Sequence, residues 1–301
     1  SLAFAPVCWF DARENPEAAS AVLNTAAQWA AAHDFKRVRG PMDGNFFYSY
    51  RLRLPNTQAQ ARSRPFFGEP VVPGYYAGLW RAAGFEVVHE WDTLEIGLLE
   101  TLAKTQSAYE NFQALAQQDS SYQIRGATRK SWSADLKRVY ELFHAAYREM
   151  PEFMPVSWRS FEATYSHFKY VVTPETCLFL ERGEKTLGFL LAYEDPLPFF
   201  LNARKWPAPL RLLYTAIALR MSASRRILIP YVGKVPGTEF PRGVTAILGH
   251  QLMRNIQASR RTKDHQILSC YLSTDSRAYG AIPNDSRVFA RYAVFERVSK
   301  S

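Results

Sequence analysis

Apolar residues along this chain switch between two spacings, and the switches mark the elements. Over 85–95 they alternate with polar residues, as in a half-buried strand. At 177–182 and 186–193 they run almost unbroken on either side of Gly183-Glu184, which predicts a hairpin. Shorter apolar runs at 4–10, 36–39, 122–128 and 267–272 read as further strands. Helical spacing predicts helices over 18–32, 75–83, 98–118, 134–149 and 157–168. Gly84 closes the second and Ser133 caps the fourth. Residues 196–224 are apolar and basic, with a helical stretch inside them. The segment ending at Val298 reads as a helix passing into a strand.

The chain is organised around residues 226–257. An apolar, β-branched run at 227–235 has strand length, and Pro236, Gly237 and Pro241 then break regular structure. From Val244 the apolar residues Val244, Ile247, Leu248, Leu252 and Ile256 recur at helical spacing. A strand, a Gly/Pro loop and a helix therefore follow one another. The first turn of a helix has free N–H groups and partial positive charge, so it suits a phosphate. Gly243 lets backbone approach a ligand, Thr245 sits where the helix begins, and Arg242 adds a full charge. A plain β–α turn has the same outline. There is no Gly-Lys-Ser/Thr of a P-loop and no three-glycine dinucleotide fingerprint.

Composition narrows the class. With 301 residues, 47% apolar and 22% charged, the chain is globular and long enough for about two domains. No apolar run approaches the roughly 18–20 residues of a membrane span, and no signal peptide shows at Ser1. Cys8, Cys177 and Cys270 are unclustered, each in a strand-like apolar run. They read as buried free thiols in a reducing, cytoplasmic setting, and their spacing offers no metal site. Residues 1–110 hold 10 Lys/Arg against 12 Asp/Glu, a balance of −2, while 111–301 hold 27 against 16, a balance of +11. The basic excess surrounds the phosphate-type loop and suits a polyanionic cofactor. Nucleic acid is the rival partner, disfavoured because no recognition motif appears.

Phe240-Pro-Arg-Gly-Val-Thr245 resembles the acetyl-CoA loop of Gcn5-related N-acetyltransferases, Gln/Arg-x-x-Gly-x-Gly/Ala. Gly243 keeps the first glycine, while Phe240 and Thr245 depart from the pattern. The first half is similar to a bacterial group of tandem Gcn5-related proteins, the YghO-like group. The similarity rests on Phe10-Asp11, Trp29, Gly40-Pro41-Met42 and the segment from Pro73 to Phe85. The resemblance implies an α/β (α+β) fold of two mixed-sheet units. The first, 1–118, would lack its leading strands and end in a connector helix. The second, 119–301, would carry the coenzyme A loop.

The resemblance further implies a coenzyme A-dependent N-acyltransferase, in which an amine attacks acetyl-CoA or another acyl-CoA directly. Val232, Gly233, Lys234 and Val235 would line the pantetheine arm, and Arg242, Gly243, Val244 and Thr245 the pyrophosphate. Transfer to an amine needs a base for the ammonium proton and an acid for the thiolate. Tyr292 stands two residues from Ala290, which occupies the family's usual tyrosine position. Glu194, Asp195, Tyr271 and Asp275 lie near strand ends facing the expected cleft. The first half offers Glu14 and Glu17 where phosphate would go, so one cofactor per chain is expected. The aromatic loop 44–70 caps the pocket or covers core. The acceptor is a small amine, and a homo-oligomer is compatible with all of this. The alternative is a catalytically degenerate acyl-CoA-binding or scaffold protein, as the departures at Phe240, Thr245 and Ala290 suggest.

Overall fold

A computed structural model describes residues 4–43, 50–55, 64–148, 153–221, 226–237, 243–259, 266–274 and 282–299. The first half gives β1 (Ala5–Pro6), α1 (Pro16–Ala32), β2 (Arg37–Gly40), β3 (Leu52–Arg53), α2 (Tyr76–Ala82), β4 (Glu86–Ile96) and α3 (Leu98–Gln118). The second gives β5 (Tyr122–Gly126), α4 (Trp132–Tyr147), α5 (Trp158–Tyr165), β6 (Cys177–Arg182), β7 (Lys185–Glu194), α6 (Leu197–Asn202) and α7 (Ala208–Met221). It continues with β8 (Arg226–Lys234), α8 (Val244–Ala258), β9 (Gln266–Ser273) and β10 (Arg287–Val298). The fold is mixed α/β, as the spacing of apolar residues predicts.

The strands form one mixed sheet in the order β1-β2-β10-β4-β9-β8-β7-β6-β5, with β3 also paired to β10. Each half contributes one parallel pair joined by a helix: β1 with β2 across α1, and β8 with β9 across α8. The strand that closes each pair comes from the other half. β10 runs antiparallel to β2, and β4 runs antiparallel to β9. β10 and β4 then pair with each other along nearly their whole length, from Arg287↔Glu95 to Glu296↔Glu86. Across the β2 seam, Glu296 accepts from Arg39 at 2.5 Å and from Arg37 at 3.1 Å.

Side-chain alternation along the central strands divides the core. On β8, Ile227 and Ile229 join α3 and α8 on one face, with Leu248, Leu252 and Phe112. Leu228 points to the other face, where Phe143 of α4 and Phe161 of α5 pack on Phe179 and Phe189. A third cluster holds α1 and α2 over the first half's end of the sheet, with Leu23, Trp80, Phe85 and Phe295. Among the described residues no helix is long and apolar enough to cross a membrane.

Several expectations change. Residues 287–298 are strand throughout, so Tyr292 sits on β10 and not on a helix. A central strand buried on both faces reads as a continuous apolar run, which spacing alone cannot tell from a helix. The helix expected from 134 begins at Trp132. Ser131 precedes it, accepting from the Thr128 N–H and donating to Asp135, so Ser133 is not its cap. The helix expected over 157–168 ends at Tyr165 and tightens into a 3₁₀ turn, Ser166–Tyr170. The strand at 4–10 is only Ala5–Pro6, and Cys8 just beyond it is exposed, whereas Cys177 and Cys270 are buried.

Phe295 is fully buried on the strand that joins the halves. Phe295→Ala should cost ~3–5 kcal/mol. Because β4 and β10 interlock, that loss should appear as one shared shift. Urea unfolding followed by far-UV dichroism and by tryptophan fluorescence should give coincident midpoints before and after the substitution.

Candidate active site

The parallel pair β8/β9 is where the sheet opens. Its ladder runs from Arg226↔Gln266 to Ile229↔Ser269, yet β8 continues to Lys234 and β9 to Ser273. Beyond Ile229 the strand β8 keeps its pairing with β7, where Val232, Gly233 and Lys234 oppose Leu190, Phe189 and Gly188. On its other side β9 bulges. The register against β4 shifts between Asp92↔Leu272 and Leu94↔Ser269, leaving Cys270 and Tyr271 opposite Thr93. Tyr271 adopts φ +57°, a left-handed conformation that non-glycine residues avoid, and its N–H donates to Thr93 Oγ1 at 3.4 Å. The bulge turns the ring of Tyr271 toward the gap between the strands.

That gap holds a cavity of about 330 Å³. Pro230 and Tyr231 of β8, Cys270 and Tyr271 of β9, and Tyr147 and Tyr165 from α4 and α5 form one side. The first half forms the other with Tyr50, Arg51, Trp91 and the loop Phe66–Gly68. Two buried carboxylates fasten this capping loop. Glu69 accepts from the Phe66 N–H at 3.2 Å and from Tyr292 Oη at 2.6 Å, and it pairs with Arg53 at 3.3 Å. Asp195 accepts from the Phe67 N–H at 3.1 Å and the Leu197 N–H at 3.0 Å, and pairs with Arg226 at 3.3 Å. Burial holds both carboxyls above their ordinary range. The described part of the loop expected over 44–70 therefore caps a pocket, one of the two roles its aromatic content suggests, while Phe46, Phe47 and Tyr48 lie outside the described residues.

Burial also raises the phenols of Tyr147, Tyr231 and Tyr271, so they remain protonated at neutral pH. Tyr147 donates to the Val232 carbonyl at 3.2 Å, and Tyr271 to the Gly68 carbonyl at 3.2 Å. Arg51 is 8% exposed and lies between rings, its guanidinium 4.2 Å from Tyr50, 4.9 Å from Trp91 and 4.1 Å from Tyr271. Its Nη1 is buried without a hydrogen-bond partner among the described residues.

The expected site residues divide into groups. Tyr271 lines the cavity. Val232, Gly233 and Lys234 end β8 beside it, and the N–H of Val235 donates to Leu187 O at 3.0 Å. Gly243 is the left-handed residue before α8, at φ +117°, followed by buried Val244 and half-buried Thr245. A side chain at Gly243 would be strained there and would stand 3.2 Å from Ala108 of α3. This glycine is thus needed by the chain's own turn and packing, whatever binds nearby. Tyr292 is fully buried behind Tyr271, with ring centroids 5.0 Å apart, and it bonds to Glu69. Glu194 ends β7 and borders a different hollow, with Thr128 and Lys169. Arg242 and Asp275 lie outside the described residues.

Arg51, Trp91, Tyr147, Tyr165 and Tyr231 are cavity residues that periodicity does not single out, because aromatic residues inside strands and helices read as core. The one local signal is Tyr50-Arg51, a cation set in an aromatic run.

No protein-family model matches the chain, and no curated protein does. Solved structures resemble it loosely. A GCN5-related N-acetyltransferase from Sphaerobacter thermophilus is 12% identical with a TM-score of 0.46, over 94% of this chain and 68% of that one. One from Anabaena variabilis is 10% identical with a TM-score of 0.43, over 93% of this chain. One from Kribbella flavida is 10% identical with a TM-score of 0.42, also over 93%. This chain spans about half the length of the latter two, 50% and 47%.

The carboxyl of Glu69 yields a pH test. Its value in the fold lies above its ordinary 4.5, because burial outweighs the Tyr292 hydrogen bond and the Arg53 charge. A carboxyl that holds its proton more tightly when folded stabilises the fold fully below its unfolded value. That contribution is lost as pH rises through the folded value. Glu69→Gln cannot titrate. It should flatten the decline in stability above pH about 4.5, leaving the part of the slope due to Asp195, as read from urea midpoints across that window.

Proposed function

We propose that the chain is a coenzyme A-dependent N-acyltransferase of the Gcn5-related kind, built as two interlocked units of the tandem, YghO-like type. Residues 1–118 form the first unit and 119–301 the second, which takes the cofactor. The carrying observation is the divergence of β8 from β9 beyond Ile229, beside a helix whose start has no side-chain cap. A strand edge leading to a helix N-terminus suits a long pantetheine arm that ends in phosphates. When bound, acyl-CoA supplies the activated thioester carbonyl. The aromatic walls shield an acceptor amine from water, and Tyr231 is the protonated phenol whose O–H is not committed to a backbone carbonyl, unlike those of Tyr147 and Tyr271.

The first half differs at the matching place. There the parallel pair stays closed: the Val7 N–H donates to Arg39 O at 2.8 Å and the Met42 N–H to Val7 O at 2.9 Å. The helix that follows β1 is capped by Asn15, whose side chain accepts from Ala18 N–H at 3.0 Å, and it carries Glu17 in its first turn. Phosphate would find the N–H donor taken and a carboxylate nearby. One cofactor per chain follows.

A second reading has its own support. Among the described residues no carboxylate or imidazole lines the cavity, and Glu69 and Asp195 are committed to holding its cap. A protein that binds acyl-CoA without turnover would look the same. Titration calorimetry with acetyl-CoA and longer acyl-CoAs tests the shared claim, and turnover with a panel of amines separates the two readings.

Thr245→Glu supplies the sharper variant. A carboxylate in the first turn of α8 favours the helix dipole, so the fold should hold, but it repels phosphate. Acyl-CoA affinity should fall tenfold or more, and the loss should shrink at high salt. Glu14→Ala with Glu17→Ala should leave one site per chain. Unchanged affinity in the first variant, or two sites in wild type, would refute the assignment.

A further inference from the structure

The guanidinium of Arg51 is the feature that acyl transfer alone leaves unexplained. It lines the cavity at 8% exposure, and its Nη1 has no hydrogen-bond partner among the described residues. The other arginines around this pocket are neutralised: Arg53 pairs with Glu69 and Arg226 with Asp195. Arg51 pairs with no carboxylate among the described residues and stacks only on Tyr50, Trp91 and Tyr271. Ring faces attract a cation, but they do not satisfy its N–H groups. A buried charged donor without an acceptor is costly and calls for an explanation, and on the wall of a cavity a ligand's acceptor supplies one.

We propose that this cavity binds a small organic monocarboxylate with an aromatic or bulky apolar body, and that Arg51 is the residue that recognises its carboxylate. One uncompensated charge matches a monoanion, whereas a phosphate dianion would leave negative charge buried. Guanidinium also fits a carboxylate through two parallel N–H donors. The walls, formed by Tyr50, Phe66, Trp91, Tyr165, Tyr231 and Tyr271, leave the rest of the ligand an apolar surface. About 330 Å³ is at the small end for ligand pockets, so the body is on the scale of one ring with a short chain. If the acyl-transfer reading holds, on which this refinement rests, the acceptor is an amine that also carries a carboxylate.

The test needs no acyl-CoA, so its failure is separate from failure of that reading. The full chain is titrated at neutral pH with 3-phenylpropionate, 3-phenylpropionamide and phenyl phosphate. The carboxylate should bind at least tenfold more tightly than the amide or the phosphate. Arg51→Met should abolish the preference for carboxylate over amide, and Arg51→Lys should keep part of it. Thermal melts distinguish a ligand group from a packing group: Arg51→Met should melt at or above the wild-type temperature, since it removes an unpartnered buried cation. Equal binding of carboxylate and amide, no binding of the carboxylate, or undiminished preference in Arg51→Met would each overturn the proposal. So would tighter binding of phenyl phosphate.

Discussion

The antiparallel pairing of β4 with β10 is the constraint on which the rest of the molecule depends. Each strand closes the other half's parallel pair, and both are buried in mid-sheet. Edge strands of a sheet carry unpaired N–H and C=O groups; here β2 and β9 would become such edges without their exchanged partners. The exchange also decides where the cavity lies. Trp91 arrives on β4 opposite Ser273 of β9 and lines the same cavity as Tyr271, and β3 pairs with β10 immediately after Arg51. The pocket is therefore composite, with its cation from the first half and most of its phenols from the second.

The cap over the cavity is held by polar contacts between buried groups. Glu69 and Asp195 each satisfy a backbone N–H of the loop and each face an arginine, so neither is a stray buried charge. Their raised proton affinity follows from burial that these partners only partly offset. An arrangement of this kind fixes the loop's position more than it adds to net stability. Tyr292 belongs to it as a donor to Glu69, touching the cavity through the ring of Tyr271.

Much of the fold was legible because strong local patterns coincide with elements. The helix expected over 98–118 is α3, and the hairpin around Gly183, the strand β8 and the helix α8 also stand where expected. The end of the chain was not, because β10 is apolar on both faces and loses its alternation. The strand exchange was invisible, since pairing partners leave no trace in spacing. The site was half legible: Tyr271 and the end of β8 border the cavity, while Arg51 drew no notice as one arginine among many. What marks Arg51 is a buried nitrogen without a partner among the described residues on the wall of the cavity, and only packing reveals that.

The exchanged strands also bear on how the chain is made. β4 is complete at Ile96, but β9, its neighbour on one side, begins only at Gln266, about 170 residues later, and β10 follows that. At ribosomal speeds of roughly 5–20 residues per second, β4 waits on the order of 10–30 s with neither edge covered. Through that interval the nascent first half is an open sheet fragment, exposed to stray pairing with other chains. Its alternating segment is studded with charge at Glu86, Glu90, Asp92 and Glu95. Such gatekeeping charges discourage association of like strands, so the residues that look merely polar on β4 also guard the strand while its partners are still being synthesised.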